Sequence, residues 1–237
     1  MDSIYYQLQE VAKNSYDEEI IKKFNEFANI DDQIELERLA LQTQIVVKKS
    51  PPNYNHGFLI FAALASIVEK RKEVNQFSIM DIGTARGFSA LVCAMVLRKY
   101  SVPGTILSID TIPHSEVRRW NCILDGENGI SRKEIVRRFD YSKNIVFLSG
   151  KSKNVFNNLH LDRINFAFVD GDHKWRSLKH EIDFIVERQM KNDVLLFDDY
   201  TPEYYPDVVR AVSTLASKYH IQTFGNSHRG YALLTKI

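Results

Sequence analysis

The chain has little cysteine, almost no net charge and no long apolar run, and each shortage removes a class of protein. Its two cysteines, Cys93 and Cys122, cannot build a disulfide framework, and neither sits in a CxxC or other metal-ligand spacing. Both read as reduced structural residues. Lys and Arg number 31 against 30 Asp and Glu, a formal charge of +1. Proteins built to grip nucleic acid usually carry a strong basic excess, so no nucleic-acid partner is expected. The longest apolar stretch, Phe58 to Val68, is about half of what a bilayer crossing needs, so no membrane contact is expected either. The opening MDSIYYQLQE lacks the basic start and apolar core of a secretory signal. The expected location is the cytoplasm. What remains is a chain of 237 residues, 44% hydrophobic, able to bury one substantial core.

Residues 1 to 49 also lack glycine and are rich in charge. Ile20, Ile21, Phe24 and Phe27 form one apolar stripe at helical spacing, and Ile34, Leu36, Leu39, Ala40 and Ile45 form another. This part reads as a helical extension. Ser50-Pro51-Pro52-Asn53 then breaks the chain, because proline cannot continue a helix and constrains the residue before it. Residues 50 to 237 read as the main domain, opening with a helix from about Phe58 to Arg71. From Phe77 the pattern alternates. Short apolar runs at Phe77–Ile82, Thr105–Ile109, Ile145–Leu148, Ile164–Val169 and Val194–Phe197 predict strands. Helical stretches separate most of them: Ala90–Tyr100, Lys133–Phe139, Leu178–Met190 and Asp207–Tyr219. Continuous apolar strands alternating with helices imply a parallel sheet covered on both faces. The end, His220–Phe224 and Tyr231–Thr235 around Gly225-Asn226-Ser227-His228, predicts an antiparallel hairpin. The fold class is α/β, a doubly wound Rossmann-like sheet with an N-terminal helical extension.

Ligands of such sheets bind at the C-terminal strand ends. After the first strand comes Asp81-Ile82-Gly83-Thr84-Ala85-Arg86-Gly87-Phe88-Ser89. Two glycines four apart let backbone approach a ligand and leave a helix N-terminus open. The spacing is neither GxGxxG nor a P-loop. The second strand ends in Asp110, placed to accept ribose hydroxyls; an acid there also serves as a turn or cap. The third ends in Ser149-Gly150-Lys151-Ser152, another edge of a nucleoside pocket. The fourth and fifth end in Val169-Asp170-Gly171-Asp172-His173 and Phe197-Asp198-Asp199-Tyr200. Four carboxylates and an imidazole on one sheet edge need a cation, protons or salt bridges. Oxygen-rich sites suit magnesium, manganese or calcium. The alternative is that Asp172 and Asp198 or Asp199 cap the following segments, with Lys174 and Arg176 balancing charge.

The runs DIGTARGFSAL, LSIDTIPH, WNC, FAFVDGDHKW, LLFDDY and RGYALLTKI resemble the class I S-adenosylmethionine-dependent methyltransferases. They are closest to a bacterial branch related to the macrocin and catechol O-methyltransferases, common in natural-product and polysaccharide gene clusters. The likeness spans residues 57 to 237. It implies seven strands in the order 3-2-1-4-5-7-6, strand 7 antiparallel. It implies an S-adenosylmethionine pocket shaped by Asp81, Gly83, Thr84, Gly87, Ser89 and Gly150, with Asp110 on the ribose. It further implies magnesium or manganese on Asp170, Asp198 and Asp199, with His173 or Asp172 as general base. Lys151 departs from the pattern, since relatives often place an acid near adenine there. The connection from Thr111 to Lys143 matches no known lid; its Arg118, Trp120 and Asn121 are candidate acceptor contacts, with packing the favoured role for the tryptophan.

The expected activity is metal-assisted O-methylation of a small hydroxylated metabolite or sugar. Two other readings compete. A nicotinamide-dependent oxidoreductase would also use Asp110 and a glycine turn, and a non-catalytic module would use the fold for assembly. The apolar stripes of the extension must bury against the sheet domain or a second subunit, and a homodimer through these helices is expected.

Overall fold

The computed structural model describes residues 3–71 and 73–237. Four helices precede the first strand: α1 (Ser3–Lys13), α2 (Glu18–Asn25), α3 (Ile30–Thr43) and α4 (Asn55–Lys70). Local chemistry starts the middle two. The Asp17 carboxylate accepts from the Ile20 amide at 3.0 Å, and Glu18 and Glu19 face the positive end of the α2 dipole. Asn29 and Asp32 form a reciprocal capping box at α3.

The rest alternates strand and helix: β1 (Phe77–Ile82), α5 (Phe88–Lys99), β2 (Gly104–Asp110), α6 (Arg132–Val136), β3 (Ile145–Ser149), α7 (Ser152–Phe156) and β4 (Phe166–Val169). It continues with α8 (Trp175–Arg188), β5 (Val194–Phe197), α9 (Pro206–Ser213), β6 (Tyr219–Gly225) and β7 (Gly230–Lys236). The strands form one sheet in the order β3-β2-β1-β4-β5-β7-β6. Only β7 runs antiparallel to its neighbours. Fold class and strand order are therefore those expected. β1, β4 and β5 are buried almost throughout, as continuous apolar runs require in a sheet covered on both faces.

α4 explains the extension. It is apolar round nearly its whole circumference, with Phe58, Leu59, Ile60, Phe61, Leu64 and Ala65 all fully buried, and one sheet face cannot cover such a helix. α2 packs on α4 and α3 on α5. Ile20, Phe24, Leu36, Leu39, Ala40 and Ile45 thereby join the same core as the sheet. The stripes are covered within one chain. Ile34 is a correction: it is 58% exposed, on the outer side of α3, while Leu36 and Leu39 face inward.

Several boundaries differ from expectation by a few residues, two of them for visible reasons. α9 stops at Ser213 rather than near Tyr219, because the Ser213 and Thr214 hydroxyls bond back to the Val209 and Ala211 carbonyls. α8 begins at Trp175 because its first amide is capped by Asp207 of α9, at 2.8 Å. The Thr111–Lys143 connection is an ordered flap carrying a two-residue ribbon, Val117–Arg118 against Ile130–Ser131. It is fastened to the extension by a bridge between Val46 and Cys122. No helix among the described residues is long and apolar enough to cross a membrane.

Candidate functional site

At the C-terminal edge of β1 to β4 lies a cavity of about 570 Å³ whose walls include Gly83, Asp110, Gly150, Asp170 and Glu181. That is the size range of small-molecule and cofactor sites. Gly83 shows why the turn after β1 needs glycine. Its φ is +94°, and a Cβ there would stand 2.0 Å from the Asp170 carbonyl oxygen. No other residue fits.

Asp110 lies at the lip of the cavity. Its two oxygens accept from the amides of Ala85 and Ile112, each at 2.7 Å. The buried Arg132 guanidinium stands 3.3 Å away and also donates to the Ala85 carbonyl at 2.6 Å. A carboxylate has about four acceptor sites, so capacity remains for ligand hydroxyls. Of the other residues singled out for this pocket, Gly150 lines it too. Asp81, Thr84, Gly87 and Ser89 are buried beneath the turn. Ser108 ties that layer together, donating to Asp81 at 2.7 Å and standing 2.5 Å from the Thr84 hydroxyl. These residues shape the turn from below. Burial pushes the Asp81 pKa up, against the bonds from Ser89 and Ser108.

Beside the cavity the acids of β4 and β5 divide into two groups. Asp170, His173 and Asp199 each offer an atom within 4.8 Å of the others. His173 Nε2 is 3.2 Å from Asp199 Oδ2 and 3.9 Å from Asp170 Oδ1, and it is buried without an aligned hydrogen-bond partner. Asp199 reaches this group from a left-handed backbone, φ 55°, a conformation that Asp tolerates better than most residues. Asp198 belongs elsewhere. It accepts from Arg229 at 2.7 Å and from the Asp199 amide at 2.7 Å, and its side chain is fully buried. Asp172 is exposed and tied into its own turn, accepting from the Ser177 hydroxyl at 2.7 Å and the Lys174 amide at 3.3 Å.

The electrostatics follow the geometry. Burial and the nearby Asp198 charge push Asp170 well above the usual carboxylate range. Burial takes Asp198 to about 6 despite Arg229. The Asp199 carboxylate raises His173 above an ordinary imidazole, outweighing partial burial. Burial would raise Asp199, but His173 and Arg229 hold it low. The cation at these acids is thus Arg229, which also lies 3.5 Å from Asp199, rather than Lys174 or Arg176. Nothing in the RGYALLTKI run marked Arg229 as a partner of residues 30 positions earlier. Burial, together with the Arg229 and Arg86 charges, lowers the pKa of Lys48 at the end of the extension, against the opposing pull of Asp170 and Asp198. Trp120 packs between Arg86 and Arg118, and its indole donates to the Ile130 carbonyl at 2.8 Å.

The comparisons agree with this architecture. The profile of a family described as "Methyltransferase domain" matches residues 80–200, from β1 to the residue after Asp199. The chain belongs to that family and is a class I S-adenosylmethionine-dependent methyltransferase. Among solved structures it is similar to the O-methyltransferase NovP, at 15% identity and a TM-score of 0.63, covering 87% of this chain and 99% of that one. It is also similar to the O-methyltransferase TomG from Streptomyces achromogenes, involved in tomaymycin synthesis and solved with SAM, at 14% identity, 89% and 91% coverage and a TM-score of 0.54. An O-methyltransferase from Bacillus cereus, in complex with SAH, gives 12%, 88% and 92%, and 0.55. At such identities these neighbours speak for the fold. No curated protein matches the chain. Family membership sets aside the nicotinamide reading.

Proposed function

We propose that this methyltransferase methylates a hydroxyl of a small acceptor, with a divalent cation, magnesium or manganese, held by Asp170, His173 and Asp199. The observation that carries the reading is the meeting of two carboxylates and an imidazole nitrogen beside the cavity that contains Gly83 and Asp110. Ligand atoms within 4.8 Å of one another can converge on one ion at about 2.0–2.2 Å with small side-chain adjustments.

Gly83 and Gly150 bring backbone against the cofactor, and Asp110 accepts its ribose hydroxyls. S-adenosylmethionine supplies the methyl group on its sulfonium. The wall of the cavity holds the acceptor oxygen in line with it, a positional effect worth much of the rate. The cation supplies Lewis acidity to the acceptor hydroxyl. With His173 among the ligands, Asp172 is the base at hand. A second reading is favoured by Arg229, which already neutralises one acid of the pair. In that reading no metal binds, and His173, oriented by Asp199 at 3.2 Å, takes the acceptor proton itself.

Calorimetry with S-adenosylhomocysteine and thermal shifts with manganese test both. S-adenosylhomocysteine should bind at micromolar strength, and NAD far more weakly. Manganese should raise the melting temperature of the wild type but not of Asp170→Asn or Asp199→Asn. A shift shared by all three proteins, or none in any, leaves the metal-free dyad. Absence of adenosyl binding overturns the cofactor assignment.

A further inference from the structure

A second cavity lies at the opposite edge of the sheet, where β5 begins. It holds about 510 Å³ and is walled by α2, α4 and the paired start of β5 and end of β7. Its charge is one-sided. Among the described residues, Lys23, Lys70, Arg71 and Lys191 line it against a single carboxylate, Glu73, in a chain whose charges nearly cancel. These cations come from α2, the end of α4 and the turn before β5, so no one helix face accounts for them.

The fold neutralises little of this charge. Glu73 is exposed and stands 3.4 Å from Arg71. Arg71 also reaches buried Asp193 at 2.6 Å, but Arg163 shares that carboxylate at 3.0 Å. Two guanidiniums on one acid leave a positive remainder. Among the described residues, Lys70 and Lys191 have no carboxylate partner. Lys23 and Lys70 do lie in the last turns of α2 and α4, where the helix carbonyls carry about half a negative charge. That offsets only part of their charge, and Lys191 belongs to neither helix.

A concave cluster of one sign concentrates its field on a ligand of the other. Arg71 offers a planar fork that matches phosphate, and the lysines reach it as mobile point charges. Ile67 and Leu233 add apolar lining. The volume is that of a small-molecule site rather than of one inorganic ion. We propose that this cavity binds a small organic molecule bearing at least two phosphate charges, at a site separate from methyl transfer. A nucleic-acid backbone would call for a longer basic track than one cavity supplies.

Calorimetry in metal-free buffer at fixed ionic strength tests it. The probes are fructose 1,6-bisphosphate, inorganic pyrophosphate and a short single-stranded oligonucleotide. The proteins are wild type, Lys70→Gln/Lys191→Gln and Lys49→Gln/Lys143→Gln. All four lysines are exposed, so both variants should fold. Wild type should bind the bisphosphate more tightly than pyrophosphate. The Lys70/Lys191 variant should bind it about tenfold more weakly or worse, the worth of one charge-assisted hydrogen bond. The Lys49/Lys143 variant loses the same charge outside the cavity and should bind as wild type does. S-adenosylhomocysteine should bind all three proteins alike, and its failure to bind would count against the cofactor assignment alone. Wild type that binds neither phosphate overturns the proposal. So does equal affinity in wild type and the Lys70/Lys191 variant, or equal weakening in both variants, the mark of overall charge. Tighter binding of pyrophosphate overturns the organic ligand in favour of an inorganic anion. An oligonucleotide held more tightly than the bisphosphate, and released by the Lys70/Lys191 variant, overturns it in favour of a nucleic-acid contact.

Discussion

Arg229 of the terminal hairpin donates to Asp198 at 2.7 Å and so fixes the end of β5 to the loop between β6 and β7. Adjacent acids thereby receive different work. Asp198 faces the hairpin, and Asp199 faces His173 and Asp170.

Arg229→Met should leave a fully buried carboxylate without its cation. The expected loss is about 3 kcal/mol, the low end for breaking a buried pair, because Arg229 is itself partly exposed. Denaturant unfolding reads it directly. A variant as stable as wild type would mean that Asp198 is protonated in the native state.

The two neighbouring acids should separate experimentally. Asp198→Asn should lower the melting temperature while leaving the manganese-induced shift in place. Asp199→Asn should abolish that shift with a smaller effect on stability. Reversed outcomes would return the metal to Asp198.

Gly83→Ala places a Cβ 2.0 Å from a backbone oxygen at φ +94°. It should cost more than about 2 kcal/mol and prevent stabilisation by S-adenosylhomocysteine. At Gly126 a Cβ would meet nothing within 4 Å, so Gly126→Ala should stay within about 0.5 kcal/mol of wild type. Comparable losses in the two would disprove the close approach.

Stability should depend on pH through Glu181, raised from 4.5 to about 7. Between these values the folded state keeps a proton that the unfolded state has released, so stability falls as pH rises through that window. Below it both states are protonated and nothing is lost; above it the cost is full, on the order of 3 kcal/mol. Glu181→Gln should therefore be more stable than wild type at pH 8 and similar to it at pH 4. Unfolding curves that stay parallel across this range would contradict the raised pKa.

Much of the fold is legible in the chain because its signals are local. Phe77–Ile82, apolar except for Ser78 and Asp81, and the unbroken apolar run Val194–Phe197 have observed limits that match the expected ones. The acids at the strand ends stand where the runs stop. Less legible were α7, five residues long, and the ribbon of the flap, two residues on each side. Neither is long enough to show a period. Ile34 fitted the α3 stripe by spacing, yet only its neighbours found partners.

Apolar periodicity by itself determined the alternation of strand and helix, and with it the sheet edge where Asp110, Asp170, His173 and Asp199 would gather. That follows because period and burial act within a few residues. Only the tertiary structure decided which charges meet. Arg229 lies 31 positions from Asp198, Glu181 lies 29 from Ser152, and Asp199 turns to His173 through a left-handed backbone. Coulomb forces and hydrogen bonds depend on distance through space, and folding brings those positions together.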